Sequence, residues 1–289
     1  MIVVLGDIAI DIVSRLKKPL ARGSDASATV QMMPGGSGAN VAVWLARLGQ
    51  PVSFIGRVGD DPFGRWLADD LRCEGVHPAL TVDHERGTGV IQVLVEPDGE
   101  RTMVPDRGAN AVWAPGDVPE ALIASASLLH VVGYVLLDEE SRRGALTAMV
   151  HARAHGVPIS LDPSSHAPLG ALGADGLWSM LGRVTILLPN RREAQVLSGE
   201  ADPADALRVL GQQARVVAIK LDKDGCIAGE GDRVYRVPAP QAAIINATGA
   251  GDAFDAAFLA RWLVDGDVDA ACRAGVALGT HAATLPSTR

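Results

Sequence analysis

The sequence predicts an α/β fold, a mostly parallel sheet between layers of helices with a small β element projecting from it. Three observations predict it. Short β-branched runs alternate along the chain with Ala- and Leu-rich stretches of helical period, the pattern of βαβ units. The helical stretches end at glycines suited to C-caps, Gly49, Gly75 and Gly156. The clear hairpin signal at 88–104, two alternating apolar runs around Pro97-Asp98-Gly99, falls between such units and has no place in a parallel core.

In chain order, Ile2–Leu5 reads as a buried strand, 40–48 as a helix closed by Gly49, and 52–55 as the next strand. A helix at 63–74 closes at Gly75. The cycle resumes with a strand at Leu128–Val132, a helix at 141–155 closed by Gly156, and strands at 158–162 and 184–188. A helix at 191–197 and a strand at 216–220 complete it. Strands separated by helices call for right-handed crossovers and a sheet covered on both faces. Residues 12–33 carry few core-type runs and, with the hairpin, break the rhythm. No internal repeat, low-complexity tract or linker divides the 289 residues, so 1–289 reads as a single domain.

Hydrophobic residues make up 48% and aromatics only 4%, so the core must be built from Ala, Val, Leu and Ile. A net charge of -8 argues against broad nucleic-acid binding but leaves a local phosphate site open. Cys73, Cys226 and Cys272 match no zinc spacing, and an odd number suits reduced thiols better than disulfides. The apolar N-terminus carries Asp7 and Asp11 and lacks a basic leader, which fits a strand and not a signal peptide. The apolar stretch 128–137 is too short to cross a bilayer. A soluble, cytoplasmic protein with no membrane partner is expected.

The most informative segment is Ile245-Asn246-Ala247-Thr248-Gly249-Ala250-Gly251-Asp252-Ala253-Phe254. Its small residues let the backbone approach a ligand, and the helix start that follows offers unpaired N–H groups to phosphate. Asp252, at that start, can take a proton from a substrate hydroxyl. The bland alternative is an ordinary helix with Asp in its first turn. No Gly-Lys-Ser/Thr follows, so this is no Walker A loop. The early glycine fingerprint of a dinucleotide-binding dehydrogenase is missing as well.

The segment resembles the C-terminal signature D-T-x-G-A-G-D of ribokinase-like (pfkB-type) carbohydrate kinases. The resemblance makes Asp252 the catalytic base and Gly249, Ala250 and Gly251 an anion hole, with Thr248, Gly249 and Gly251 on the nucleotide side. The family usually has Asp where this chain has Asn246, a position that in several members helps form a monovalent-cation site. That departure puts activation by K+ in doubt.

Further segments agree in order and spacing. Gly35-Gly36-Ser37-Gly38-Ala39-Asn40 resembles the family's N-terminal signature, with Gly36 and Asn40 against a polyol. Gly6-Asp7-Ile8-Ala9-Ile10-Asp11 ends the first strand, where open sheets bind ligands, and Asp11 would bond substrate hydroxyls. Pro189-Asn190-Arg191-Arg192-Glu193 resembles the N-x-x-E motif, in which Asn190 and Glu193 organise Mg2+ and its waters. The same two residues also spell a capping box. Residues 217–225 resemble the nucleotide-contacting strand and loop, implying Lys220, Asp222 and Gly225 as contacts. The family commonly has Gly at Asp222, and a carboxylate there would repel phosphate unless turned outward. The hairpin and the turn Asp106-Arg107-Gly108-Ala109-Asn110 match the family's lid, formed here by about 12–34 and 88–108. Arg107 is then a candidate contact to substrate or phosphate.

The resemblance covers about 3–283. It implies a ribokinase-like fold and an ATP-dependent kinase transferring the γ-phosphoryl group to a hydroxyl of a small sugar, sugar acid or nucleoside. A non-catalytic sugar- or nucleotide-binding protein on the same fold is the alternative. Val90, Val93 and Val95 suggest an apolar outer face on the lid and hence a homodimer through it.

Overall fold

The computed structural model of the protein describes residues 1–20, 23–164, 173–286 and 289. β1 (Ile2–Leu5) is buried at every position, which is why it reads as a continuous apolar run. Then come β2 (Ala9–Leu16), β3 (Ala28–Gly35), α1 (Ser37–Arg47), β4 (Val52–Gly59), α2 (Pro62–Cys73) and β5 (His77–Asp83). The hairpin β6 (Gly89–Val95) and β7 (Arg101–Asp106) precedes α3 (Glu120–Ala124), β8 (Leu128–Val132), α4 (Glu139–Ala154) and β9 (Ile159–Asp162). Next are α5 (Ala174–Leu181), β10 (Val184–Leu187), α6 (Arg191–Ser198), α7 (Pro203–Leu210) and β11 (Ala214–Lys220). The chain ends with β12 (Cys226–Glu230), β13 (Arg233–Val237), α8 (Ala250–Asp265) and α9 (Val268–Ala283).

The main sheet has the order β13-β12-β11-β10-β9-β8-β1-β4-β5. It is parallel from β11 to β5 and antiparallel at β12 and β13. One face packs Val4, Phe54 and Ile186 against Trp44, Phe258 and Val276. The other packs Val3, Leu129 and Leu161 against Met149, Leu177 and Leu207. This is the three-layer α/β arrangement the alternating pattern predicts. The chain leaves β1 for β4 and β5 on one side, then returns to β8 on the other. The carboxyl ends of β1 and β8 therefore flank a switch point, where a ligand crevice opens. Among the described residues, no helix is long and apolar enough to cross a membrane.

The second sheet has the order β3-β2-β6-β7. Residues 12–33 looked empty of core because Ser14 and Arg15 interrupt the apolar residues of β2, which is otherwise buried, and β3 is exposed on both faces from Thr29 to Met32. Positions 21 and 22 of the expected lid lie outside the described residues. Strand register puts Met33, Asp11, Ile91 and Pro105 in one row and Val13, Val93 and Met103 in the next. The expected outer face is corrected here. Val93 and Val95 are buried beside Val13 on the inner side, and a period of two cannot put Val90 and Val93 on the same face. The outer face instead carries Val30, Met32 and Val104, which are 58%, 54% and 57% exposed.

Candidate active site

Two helix starts meet at the switch point. The first is α1. Gly36 precedes it at φ 92, and a Cβ there would lie 2.6 Å from the Ile8 Cα, so only glycine fits without strain. The Asp7 carboxylate accepts from the backbone N–H groups of Ser37 (3.3 Å) and Gly38 (3.2 Å). That contact starts the helix at Ser37, three residues before the expected boundary. Asp7 thus supports the site from behind.

The second is α8. Gly249 stands at φ 82, and the Ala253 N–H gives a helical bond to the Gly249 carbonyl at 3.0 Å. No side chain caps this end. In its first turn the Ala250 N–H donates to the Ala247 carbonyl at 3.3 Å, while the N–H groups of Gly251 and Asp252, with the positive end of the helix dipole, face an anion that binds there.

Asp252 joins the two starts. Its Oδ1 accepts from the Ser37 hydroxyl at 2.6 Å and its Oδ2 from the Asn40 amide at 2.9 Å. Burial raises its pKa to about 7, while the bonds from Ser37 and Asn40 act to lower it. It is therefore a carboxylate poised to exchange a proton near neutral pH.

A cavity of about 1690 Å³ opens over this pair, and every residue assigned to the site from sequence lines it. Asp11 is buried with its Oδ1 unpartnered, and its pKa is pushed up to about 6 by burial and by the charge of Asp7. Asn40 spends its amide N–H on Asp252, and its Oδ1 is buried without a partner. Arg107 is held by Asp138 and by the carbonyls of Tyr134 (2.8 Å) and Asn110 (3.3 Å). Asn190 and Glu193 make a reciprocal capping box. Glu193 N–H donates to Asn190 Oδ1 at 3.0 Å, and Asn190 donates from its backbone (2.8 Å) and side chain (2.6 Å) to the Glu193 carboxylate. Burial and the charge of Asp162 raise the pKa of Glu193 to about 7.

Lys220 is committed to two carboxylates, Asp162 at 3.1 Å and Asp255 at 3.0 and 3.1 Å. Burial alone would lower its pKa, but the charges of Asp162, Asp255 and Glu193 raise it instead. Asp222 is exposed and stands at φ 53, a left-handed conformation that explains why glycine suits the position. Asn246 Oδ1 accepts from Arg101 at 2.5 Å and from the Thr248 N–H at 2.9 Å.

Three contributors escaped the sequence reading, Ser37, Asp162 and Asp255. Asp255 carried a legible signal, a fully buried acid inside the apolar run Ala253-Phe254-Asp255-Ala256-Ala257-Phe258, three residues after Asp252. Asp162 ends a parallel strand on the ligand side. Ser37 had no signal beyond its glycine-rich neighbours. Among the described residues, no group of three or more His, Cys, Asp or Glu side chains forms a metal cluster.

Comparison with known proteins gives a match to the pfkB family carbohydrate kinases over residues 1–289. The chain is 32% identical to the ribokinase of Bacillus subtilis over 277 residues, 94% of this chain and 89% of that one. It is 32% identical to a fructokinase of Klebsiella pneumoniae over 296 residues, 99% and 92% of the two. Among solved structures, a putative ribokinase II from E. coli in complex with ATP and Mg2+ superposes with a TM-score of 0.89 at 23% identity, covering 99% of this chain and 94% of that one.

Proposed function

Because the chain belongs to the pfkB family of carbohydrate kinases and is an ATP-dependent phosphotransferase, we propose that it phosphorylates a hydroxyl of a small neutral sugar with Asp252 as general base. The observation that carries this reading is the Asp252 carboxylate, held by Ser37 and Asn40 at the uncapped start of α8. The acceptor oxygen attacks the γ-phosphorus of ATP. Its O–H bond breaks toward Asp252, a new O–P bond forms, and the bond from the γ-phosphorus to the β–γ bridging oxygen breaks to release ADP. The N–H groups of the first turn of α8, which includes Gly251, hold the transferring group in line, and the small sheet acts as a lid that keeps water out.

The unpartnered buried oxygens of Asp11 and Asn40 are acceptors, so they ask for hydroxyl donors. A carboxylate in that place would meet Asp11 instead, which favours a neutral sugar over a sugar acid. Burial and the charge of Asp162 push Glu193 up to about 7, a penalty that a divalent cation beside it would relieve. Asn190 and Glu193 already bond each other, so they would hold Mg2+ through its waters. Bound there, Mg2+ would neutralise the β- and γ-phosphate oxygens. The apolar outer face of the small sheet supports a homodimer through it. Three unpaired cysteines suit the reducing cytoplasm.

The test is incubation with ATP and Mg2+ across pentoses, ketohexoses, sugar acids and nucleosides, with ADP release and product mass as readouts. A neutral sugar should gain one phosphoryl group. Sugar binding without turnover would favour the non-catalytic reading.

A further inference from the structure

The turn that leads into α8 has little regular structure of its own, since residues 238–249 contain no helix or strand. Among the described residues, bonds that reach the turn from elsewhere in the chain come from two places, the first being the C-terminal part. Ile245 and Asn246 donate backbone N–H groups to the Ala283 carbonyl at 2.9 and 3.0 Å. The Asn246 amide reaches the Pro286 carbonyl at 3.3 Å. The second crosses from the other sheet. Arg101, the first residue of β7, donates from Nη1 to Asn246 Oδ1 at 2.5 Å and to the Thr248 hydroxyl.

That contact is made by a partly buried cation. Among the described residues no carboxylate pairs with Arg101, burial lowers its pKa, and the nearby charge of Arg15 lowers it further. Its two partners are neutral and lie three residues and one residue before Gly249, the N-cap position of a helix start that no side chain caps. The contact thus ties the small sheet to a turn 145 residues further along the chain.

We propose that Arg101 is a positioning residue: from the small sheet it fixes Asn246 and Thr248, so the anion-binding turn at Gly249–Gly251 takes its shape only while that sheet lies over the cavity. This rests on the kinase reading above. It links closure over the acceptor to readiness of the phosphate site, which disfavours hydrolysis of ATP when no acceptor is present.

The test is amide hydrogen exchange on the full chain without ligand, paired with calorimetry of Mg-ADP binding. Arg101→Ala should speed exchange across 246–251 about 10-fold, with the main sheet unchanged, and weaken Mg-ADP about 10-fold. Arg101→Lys keeps a cationic donor and should recover part of both. Arg261→Ala, which removes an exposed pair with Asp265 on α8, should change neither. Unchanged exchange at 246–251 in Arg101→Ala, or a uniform rise over the whole chain, overturns the proposal. Absence of Mg-ADP binding by the unaltered protein would sink the kinase reading, and the exchange result would still decide the role of Arg101.

Discussion

Replacing Asp252 with Asn isolates proton transfer from positioning. The carboxylate accepts from a hydroxyl at 2.6 Å and from an amide at 2.9 Å. A carboxamide can turn its oxygen to the Asn40 amide and its NH₂ to the Ser37 oxygen, which also accepts. Both contacts survive, so binding and fold should survive. What is lost is the proton acceptor. Removing a general base costs about 10²–10⁴-fold in rate, or about 3–5 kcal/mol of barrier. Coupled ADP-release kinetics should show kcat falling by that factor while the acceptor KM stays within about 3-fold. Stability gives an independent check. The folded pKa of Asp252, about 7, lies above its ordinary value of 3.8. The folded state therefore binds the proton more tightly, and ionisation destabilises the fold as pH rises between those two values. The Asp252→Asn variant escapes this penalty, so above neutral pH it should melt no lower than the parent. Turnover above about a tenth of the parent value, where a missing base costs at least about 10²-fold, would refute the reasoning.

Other perturbations probe the surroundings. Asp11→Asn removes a charge from an unpartnered buried oxygen and should raise the acceptor KM about 10–100-fold with kcat changed little, by the worth of a charge-assisted hydrogen bond; initial rates against sugar concentration check it. Gly36→Ala puts a Cβ 2.6 Å from the Ile8 Cα at φ 92 and should cost about 2–4 kcal/mol, read from denaturant melts. Val30→Glu with Met32→Glu places charge on the outer face of the small sheet. Light scattering should then report a monomer where the parent is a dimer.

The parallel core was legible because each strand is buried on both faces, as Ile2–Leu5 and Leu128–Val132 are. The edge strands β5 and β13 were not, because their residues face partly outward, as in Arg233–Val237. β3 was hidden for the same reason, being exposed on both faces from Thr29 to Met32, and β2, though mostly buried, has its apolar pattern broken by Asp11, Ser14 and Arg15. Site residues carried by glycine-rich turns stood out, since tight approach needs glycine whatever the rest of the sequence does. The pairing of Asp162 and Asp255 stayed hidden because both depend on Lys220, which is 58 and 35 residues away along the chain, even though the acid at Asp255 stands out in its apolar run. The partner of Arg101 was likewise beyond any local pattern, 145 residues distant.

The most direct test of Asp252 as the base is the pH dependence of kcat/KM. The carboxyl must be ionised to accept a proton, so activity should rise with pH and level off above a midpoint near 7. Glu193 titrates in the same range, so the profile is measured for the parent and for Asp252→Asn side by side. The account predicts a rising limb in the parent and none in the residual activity of the variant. A flat parent profile from about pH 5.5 to about pH 8, or the same limb in both proteins, would contradict it.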